Sequence, residues 1–163
     1  MLTNRVHPTR DTVSPNCIRR QFARLTADSI PIFRFNRETS WFSGYGDNLN
    51  NELTASVDLK QDALFSFNTW YRIEYVNDYG AVEISTDGIE WREIGKTMTG
   101  SSVSWVEKSW KVPQDTSFIR FRYHTNSSAN GRGWYVNNLR LSLPNGEEIS
   151  PKWKSDHWIQ RND

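Results

Sequence analysis

Few side chains in this chain could do chemistry, and they are scattered. Zinc-dependent hydrolysis needs two histidines four residues apart on a helix face, with a glutamate between them as base. The three histidines, His7, His124 and His157, lie far from one another and none begins that pattern, so this chemistry is excluded on ligand count. The single cysteine, Cys17, has no C-x-x-C partner and no intrachain disulfide open to it. There is no Gly-x-Ser-x-Gly elbow and no phosphate loop; Gly131-Arg132-Gly133 is short and precedes a strand pattern. Glu74 and Asp78 stand close enough in sequence to suggest acid–base work, but no recognisable site surrounds them. Glu74 ends a strand pattern, Asp78 begins the next loop and Tyr79-Gly80 reads as a turn, so structural roles are expected of both.

Binding is the better prospect. Arg120, Arg122 and His124 alternate with Ile119, Phe121 and Tyr123, which puts them on one face of a strand. As a function, that stripe would hold an anion or a glycan. As structure, it would pair across strands with acids such as Glu83, and the acidic surroundings favour pairing. Trp70 lies out of register with Phe67, Tyr71 and Ile73 and is expected to face outward. Trp70 and Trp105 exposed beside a concave face would favour sugar stacking, whereas most tryptophans of a small domain pack in its core.

The elements that must position these residues are strands. Leu53, Ala55, Val57 and Leu59 alternate with polar residues, as do Ala63, Phe65 and Phe67 in a run extending to Glu74. Val82 and Ile84, a short stretch at Trp91–Ile94, then Trp105–Val112, Ile119–His124 and Trp134–Leu143 follow. Asp87-Gly88 and Pro144-Asn145-Gly146 are turn signals. About seven strands without helical patterns between them exclude parallel crossovers. One-sided strands bury their apolar faces against a second sheet, so the fold class is all-β: an antiparallel β-sandwich, most simply a jelly roll. Hydrophobic residues make up only 36% of the 163, but eight Trp, eight Phe and six Tyr supply a core.

Residues 1–37 differ in kind. They carry seven arginines against two acids, a net +5, while residues 38–150 carry ten bases and fifteen acids, a net −5. Three prolines punctuate the head, which reads as an irregular basic leader; Ile18, Phe22 and Leu25 would share one face of a short helix at Ile18–Ala27. The arginines form no dense patch, so no nucleic-acid partner is expected. No run approaches the roughly 18 apolar residues of a membrane span, and no signal peptide is visible. Pro151–Asp163, with Trp153 and Trp158, forms a tail that either docks on the sandwich or hangs free.

Three motifs stand in order: Ser43-Gly44-Tyr45-Gly46-Asp47-Asn48-Leu49-Asn50-Asn51; then Leu64-Phe65-Ser66-Phe67-Asn68-Thr69-Trp70-Tyr71-Arg72-Ile73-Glu74, leading into Asp78-Tyr79-Gly80 and Thr86-Asp87-Gly88; then Ile119-Arg120-Phe121-Arg122-Tyr123, followed by Gly133-Trp134-Tyr135-Val136-Asn137-Asn138-Leu139. This order resembles the MAM-like jelly-roll module (a galactose-binding-like sandwich) of immune inhibitor A-type secreted metallopeptidases, over about Ser40–Leu143. It is also similar to the accessory module of bacillopeptidase F-like proteases. The resemblance implies an extracellular bacterial setting and a non-catalytic accessory role. The peptidase part is missing from this chain, so a stand-alone remnant of a larger secreted protease is a further expectation. The resemblance also admits a structural calcium ion. Ca²⁺ takes 6–8 hard oxygens, and the candidates are Asp47, Glu74, Asp78 and Asn137, the last read as sharing an inward register with Tyr135, Leu139 and Leu141. Asn137 and Asn138 stand where the family usually has aspartates, and the lost charge predicts weak or absent calcium binding. No cofactor is required. The expected function is a non-enzymatic binding module for a protein or a surface polysaccharide, with Trp70, Arg120, Arg122 and His124 as ligand candidates.

Overall fold

A computed structural model describes residues 39–162. The expectations for the leader, including Cys17, His7 and the helix at 18–27, lie outside the described residues. The described elements are twelve strands: β1 (Thr39–Phe42), β2 (Asn50–Ser56), β3 (Ala63–Ile73), β4 (Tyr79–Ser85), β5 (Arg92–Glu93), β6 (Gly100–Ser101), β7 (Val106–Val112), β8 (Phe118–His124), β9 (Gly133–Ser142), β10 (Glu148–Ile149), β11 (Trp153–Asp156) and β12 (Ile159–Asn162). The sequence pattern resolves the long ones; the two-residue strands are too short to carry a period.

The strands form two antiparallel sheets. Sheet A runs β12-β1-β9-β3, with β7 and β6 pairing β3 and β10 pairing β9; sheet B runs β11-β2-β8-β4-β5. β1 to β4 alternate between the layers, as do β7 to β9, and the sheet orders 1-9-3-7 and 2-8-4-5 are jelly-roll connectivity. The facing sides bury Leu53 and Ala55 from β2, Phe65 and Phe67 from β3, Ile119 and Phe121 from β8, and Trp134, Val136 and Leu141 from β9. Phe121 is the hub: its ring lies 5.0 Å from Phe67, edge-on at 89°, and 5.4 Å from Trp134. Each of the leucine, isoleucine, valine and phenylalanine side chains among these contributes about 1.5–3 kcal/mol through burial.

The tail is part of this core. β11 lies against β2, and β12 against β1. Between them Trp158 is 3% exposed, its ring 5.4 Å from Trp134. Trp153 packs 5.4 Å from Phe121.

Two local readings need correction. The turn before β4 is made by Tyr75–Asn77, with Val76 at φ 85°, and not by Tyr79-Gly80, which already belong to β4. Gly80 packs flat on Trp134; a Cβ there would stand 2.5 Å from its ring. Secondly, Trp134 and Val136 face the core, and Tyr135 faces out. A bulge, marked by Asn138 at φ 53° and a register shift between Ser66 and Asn68, then returns Leu141 to the core. Unbroken alternation had grouped Asn137 with Tyr135, Leu139 and Leu141; the extra residue of the bulge breaks that register.

Candidate functional site

Alternation places Trp70 on the outer face of sheet A, because Thr69 points inward, where its hydroxyl meets the Trp134 indole N–H at 2.6 Å. Directly opposite Trp70 on β9 is Tyr135; opposite Tyr135 on β1 is Phe42; opposite Phe42 on β12 is Ile159. These four residues form a row across four strands, about 14 Å at the usual spacing between strands. Tyr135 stacks on Phe42 (4.4 Å, 24°) and meets Trp70 edge-on (5.7 Å, 68°). Trp105, next to Val106 in the partner strand of Thr69, extends the row beyond Trp70 and is 44% exposed.

The row is hollowed on its loop side. Trp70, Val103, Ser104, Trp105, Arg132 and Tyr135 line a cleft of about 480 Å³. A smaller hollow of about 240 Å³, sharing Tyr135 and Arg132, lies against Phe42, Tyr45 and Arg161. The Arg161 guanidinium sits 4.3 Å over the Phe42 ring. Trp105 thus stands exposed and Trp70 half-buried beside a shallow, open hollow.

The stripe on β8 is placed differently. Arg120 donates to Glu83 at 2.5 Å and to Glu52 at 2.9 Å, under the Trp91 ring at 3.9 Å. Arg122 pairs with Glu83 at 3.5 Å and donates to the Tyr79 hydroxyl. His124 packs on Tyr79 with ring centres 5.2 Å apart. Arg120, Arg122 and His124 are thus engaged across strands of sheet B and not joined with Trp70, which lies on the other sheet. Glu83 stands opposite Arg120 and Glu52 opposite Arg122 in register, which is the cross-strand pairing expected as their structural role, while Asn50 and Tyr79 stand opposite His124.

The carboxylates proposed for calcium divide as well. Asp78 is fully buried at the start of β4; its Oδ1 accepts the Asn126 backbone N–H at 2.8 Å, and its Oδ2 has no partner. Glu74 Oε1 accepts from Asn77, and its Oε2 is buried without a partner. Burial raises the Asp78 carboxyl above the ordinary value; the Asn126 N–H opposes this, and the charges of Glu74 and Asp47 add to the rise. Asp78 and burial together push the neighbouring Tyr123 up to about 12, burial being the larger cause. Asp78 therefore lies within electrostatic reach of Glu74 and Asp47 at one end of the sandwich, where Asp47 accepts from Asn130 at 2.5 Å. Asn137 stands apart, four residues up β9 from Gly133, about 13 Å at the rise of a strand. No group of three or more His, Cys, Asp or Glu among the described residues is arranged to hold a metal ion. Asp78 Oδ2 and Glu74 Oε2 are buried oxygens without partners, and Asn137 Oδ1 is a third, further along β9.

Residues 13–150 match the family described as immune inhibitor A-like, MAM domain. The chain belongs to this family. The match ends before β11 and β12, so the MAM domain here is closed by two strands and a buried tryptophan from beyond the matched segment. Among solved structures, the K2 cleaved adhesin domain of Lys-gingipain is similar at 16% identity and a TM-score of 0.41, over 63% of this chain and 68% of that one. A likeness so distant carries nothing about ligands. No curated protein matches the sequence significantly. No helix among the described residues is long and apolar enough to cross a membrane.

Sequence reasoning singled out Trp70 and Trp105 but missed Phe42, Tyr135, Arg132, Arg161 and Ile159 on the same face of the MAM domain. Tyr135 alternates with Trp134 and Val136, which was the one local signal for its outward side. Its place beside Trp70 follows from pairing between β3 and β9, which no local pattern encodes.

Proposed function

We propose that this MAM domain is a non-catalytic binding module that attaches to an extracellular polysaccharide through the outer face of sheet A. The observation that carries the proposal is the aromatic row in which Trp105 is open and Trp70 half-buried beside a shallow hollow. Flat π faces carry negative charge at their centres and suit the C–H faces of pyranose rings. Apolar faces containing Trp and Tyr and rimmed by polar residues mark binding surfaces. The family's association with secreted proteases, as an accessory and not a peptidase domain, supports the extracellular setting and the absence of catalysis.

Affinity electrophoresis of the full chain through gels containing soluble polysaccharides tests this. Retardation by at least one polymer, lost in Trp70→Ala and Trp105→Ala, is the expected result. No retardation by any polymer in a broad panel, with a protein bound through the same tryptophans, would replace the glycan by a protein partner.

A calcium ion is also proposed at the loop end, held weakly by Glu74 and Asp78 with oxygens of the neighbouring loops. It would act as a structural clip, with no part in binding the polymer. Two carboxylates without a third favour low affinity.

A further inference from the structure

The charge around the aromatic face narrows the ligand further, on the reading that this face binds a polysaccharide. Arg132 and Arg161 are exposed, border the hollow beside Tyr135, and have no carboxylate partner among the described ion pairs. Arg72 alternates with Trp70 on β3, so it projects from the same face, and it too is unpaired. Neither hollow has an acidic residue in its lining. On β7, Glu107 stands opposite Asn68, two residues along β3 from Trp70, and lines neither hollow. This is unusual in a body whose net charge is −5 over residues 38–150. On sheet B both arginines of β8 are matched by an acid; Arg72, Arg132 and Arg161 have no acid partner among the described residues.

Arg161 is also held in place. Its guanidinium lies over the Phe42 ring, and Phe42 in turn stacks on Tyr135. A guanidinium seated on a ring keeps its N–H edge free and loses little freedom when it pairs with a planar anion.

We infer that the ligand of this face is an acidic polysaccharide: its sugar rings stack on Trp70 and Trp105, and its carboxylate or sulfate groups pair with Arg132 and Arg161. Exposed pairs of this kind are screened by salt, so binding weakens as ionic strength rises.

The test measures binding of the full chain to polygalacturonate, dextran sulfate, unmodified dextran and polyglutamate at low and high salt. Tighter binding of at least one acidic polysaccharide than of dextran, by about tenfold or more, is expected. A comparable loss is expected in Arg132→Gln/Arg161→Gln and in Trp70→Ala/Trp105→Ala, with Arg161→Lys intermediate because it keeps the charge and loses the planar fork. Unchanged thermal midpoints for the arginine variants would show that the fold is retained. Dextran binding as tightly as the acidic polymers, or arginine variants that bind like the parent while the tryptophan variants do not, would overturn the inference and leave the glycan reading intact. Polyglutamate binding equally, with no need for the tryptophans, would reduce the face to a cationic patch and overturn it as well. Binding to none of the four, in a chain that also ignores the wider panel of polysaccharides, would remove both.

Discussion

Arg120 and Glu83 face each other in register on adjacent strands of sheet B and join at 2.5 Å, roofed by the ring of Trp91. The pair is nearly buried, and Glu52 takes a second N–H of the same guanidinium. Removing one partner of such a pair leaves an uncompensated charge, which costs about 3 kcal/mol. Arg120→Ala is therefore expected to lower stability by about that amount in urea unfolding, while polysaccharide binding on sheet A stays unchanged. Loss of binding without loss of stability would return Arg120 to the ligand site.

How much of this was legible beforehand depends on the range of the interaction. Period-two alternation over Leu53–Leu59, Ala63–Ile73 and Ile119–His124 marks strands whose core faces are those observed, because that signal lies within one strand. Opposite charges at Glu83 and Arg120 gave the pairing because both lie in clearly alternating strands. The bulge at Asn138 was not legible, since a single left-handed residue leaves no period; it broke the grouping of Asn137 with Leu139 and Leu141, although Asn137 is buried as expected. The aromatic row was hidden for a different reason: Phe42, Tyr135, Trp70 and Ile159 come from four separate strands, and only the sheet order 12-1-9-3 aligns them.

Gly133 begins β9 at φ 83°, and a Cβ there would lie 2.3 Å from the Gly44 carbonyl oxygen and 2.8 Å from the Phe42 ring. Both the backbone conformation and the contact forbid a side chain. Ser43 bridges the same junction: its hydroxyl accepts the Trp134 backbone N–H at 3.0 Å. Gly133→Ala is expected to cost about 3 kcal/mol or more. Because Arg132 precedes it and Phe42 abuts it, the variant should also lose polysaccharide binding at temperatures where it remains folded. Paired melting curves and binding isotherms check both statements.

Trp158 joins the tail to the core, 3% exposed between Trp134 and Phe121. Replacing a buried tryptophan by alanine costs about 3–5 kcal/mol. Trp158→Ala is expected to lower the stability measured in urea unfolding by that margin and to free β11 and β12. Hydrogen exchange should then rise in β2 and β1, whose outer edges those strands cover. A variant as stable as the parent, with unchanged exchange, would mean that the tail contributes no stability.

Asp78 couples the loop end to pH. Its folded carboxyl lies above the ordinary value of 3.8, first because it is buried. Between the unfolded value and the raised folded one, the folded chain binds more protons than the unfolded chain. Stability from this group is therefore present below the unfolded value and is lost as pH rises through the folded one. At neutral pH in chelator, Asp78→Asn removes the buried charge and keeps an oxygen for the Asn126 N–H, so its midpoint is expected to exceed the parent's by a few degrees, with the gain vanishing near pH 3.8. Calcium reverses the comparison. An ion held by Asp78 Oδ2 and Glu74 Oε2 compensates the charge, so millimolar Ca²⁺ should raise the parent's midpoint and leave Asp78→Asn unmoved. Scanning calorimetry of both proteins, with chelator and with Ca²⁺, separates the possibilities. A rise of several degrees at micromolar Ca²⁺ would make the site tight instead of weak, and no response at millimolar Ca²⁺ would leave the two oxygens without a cation.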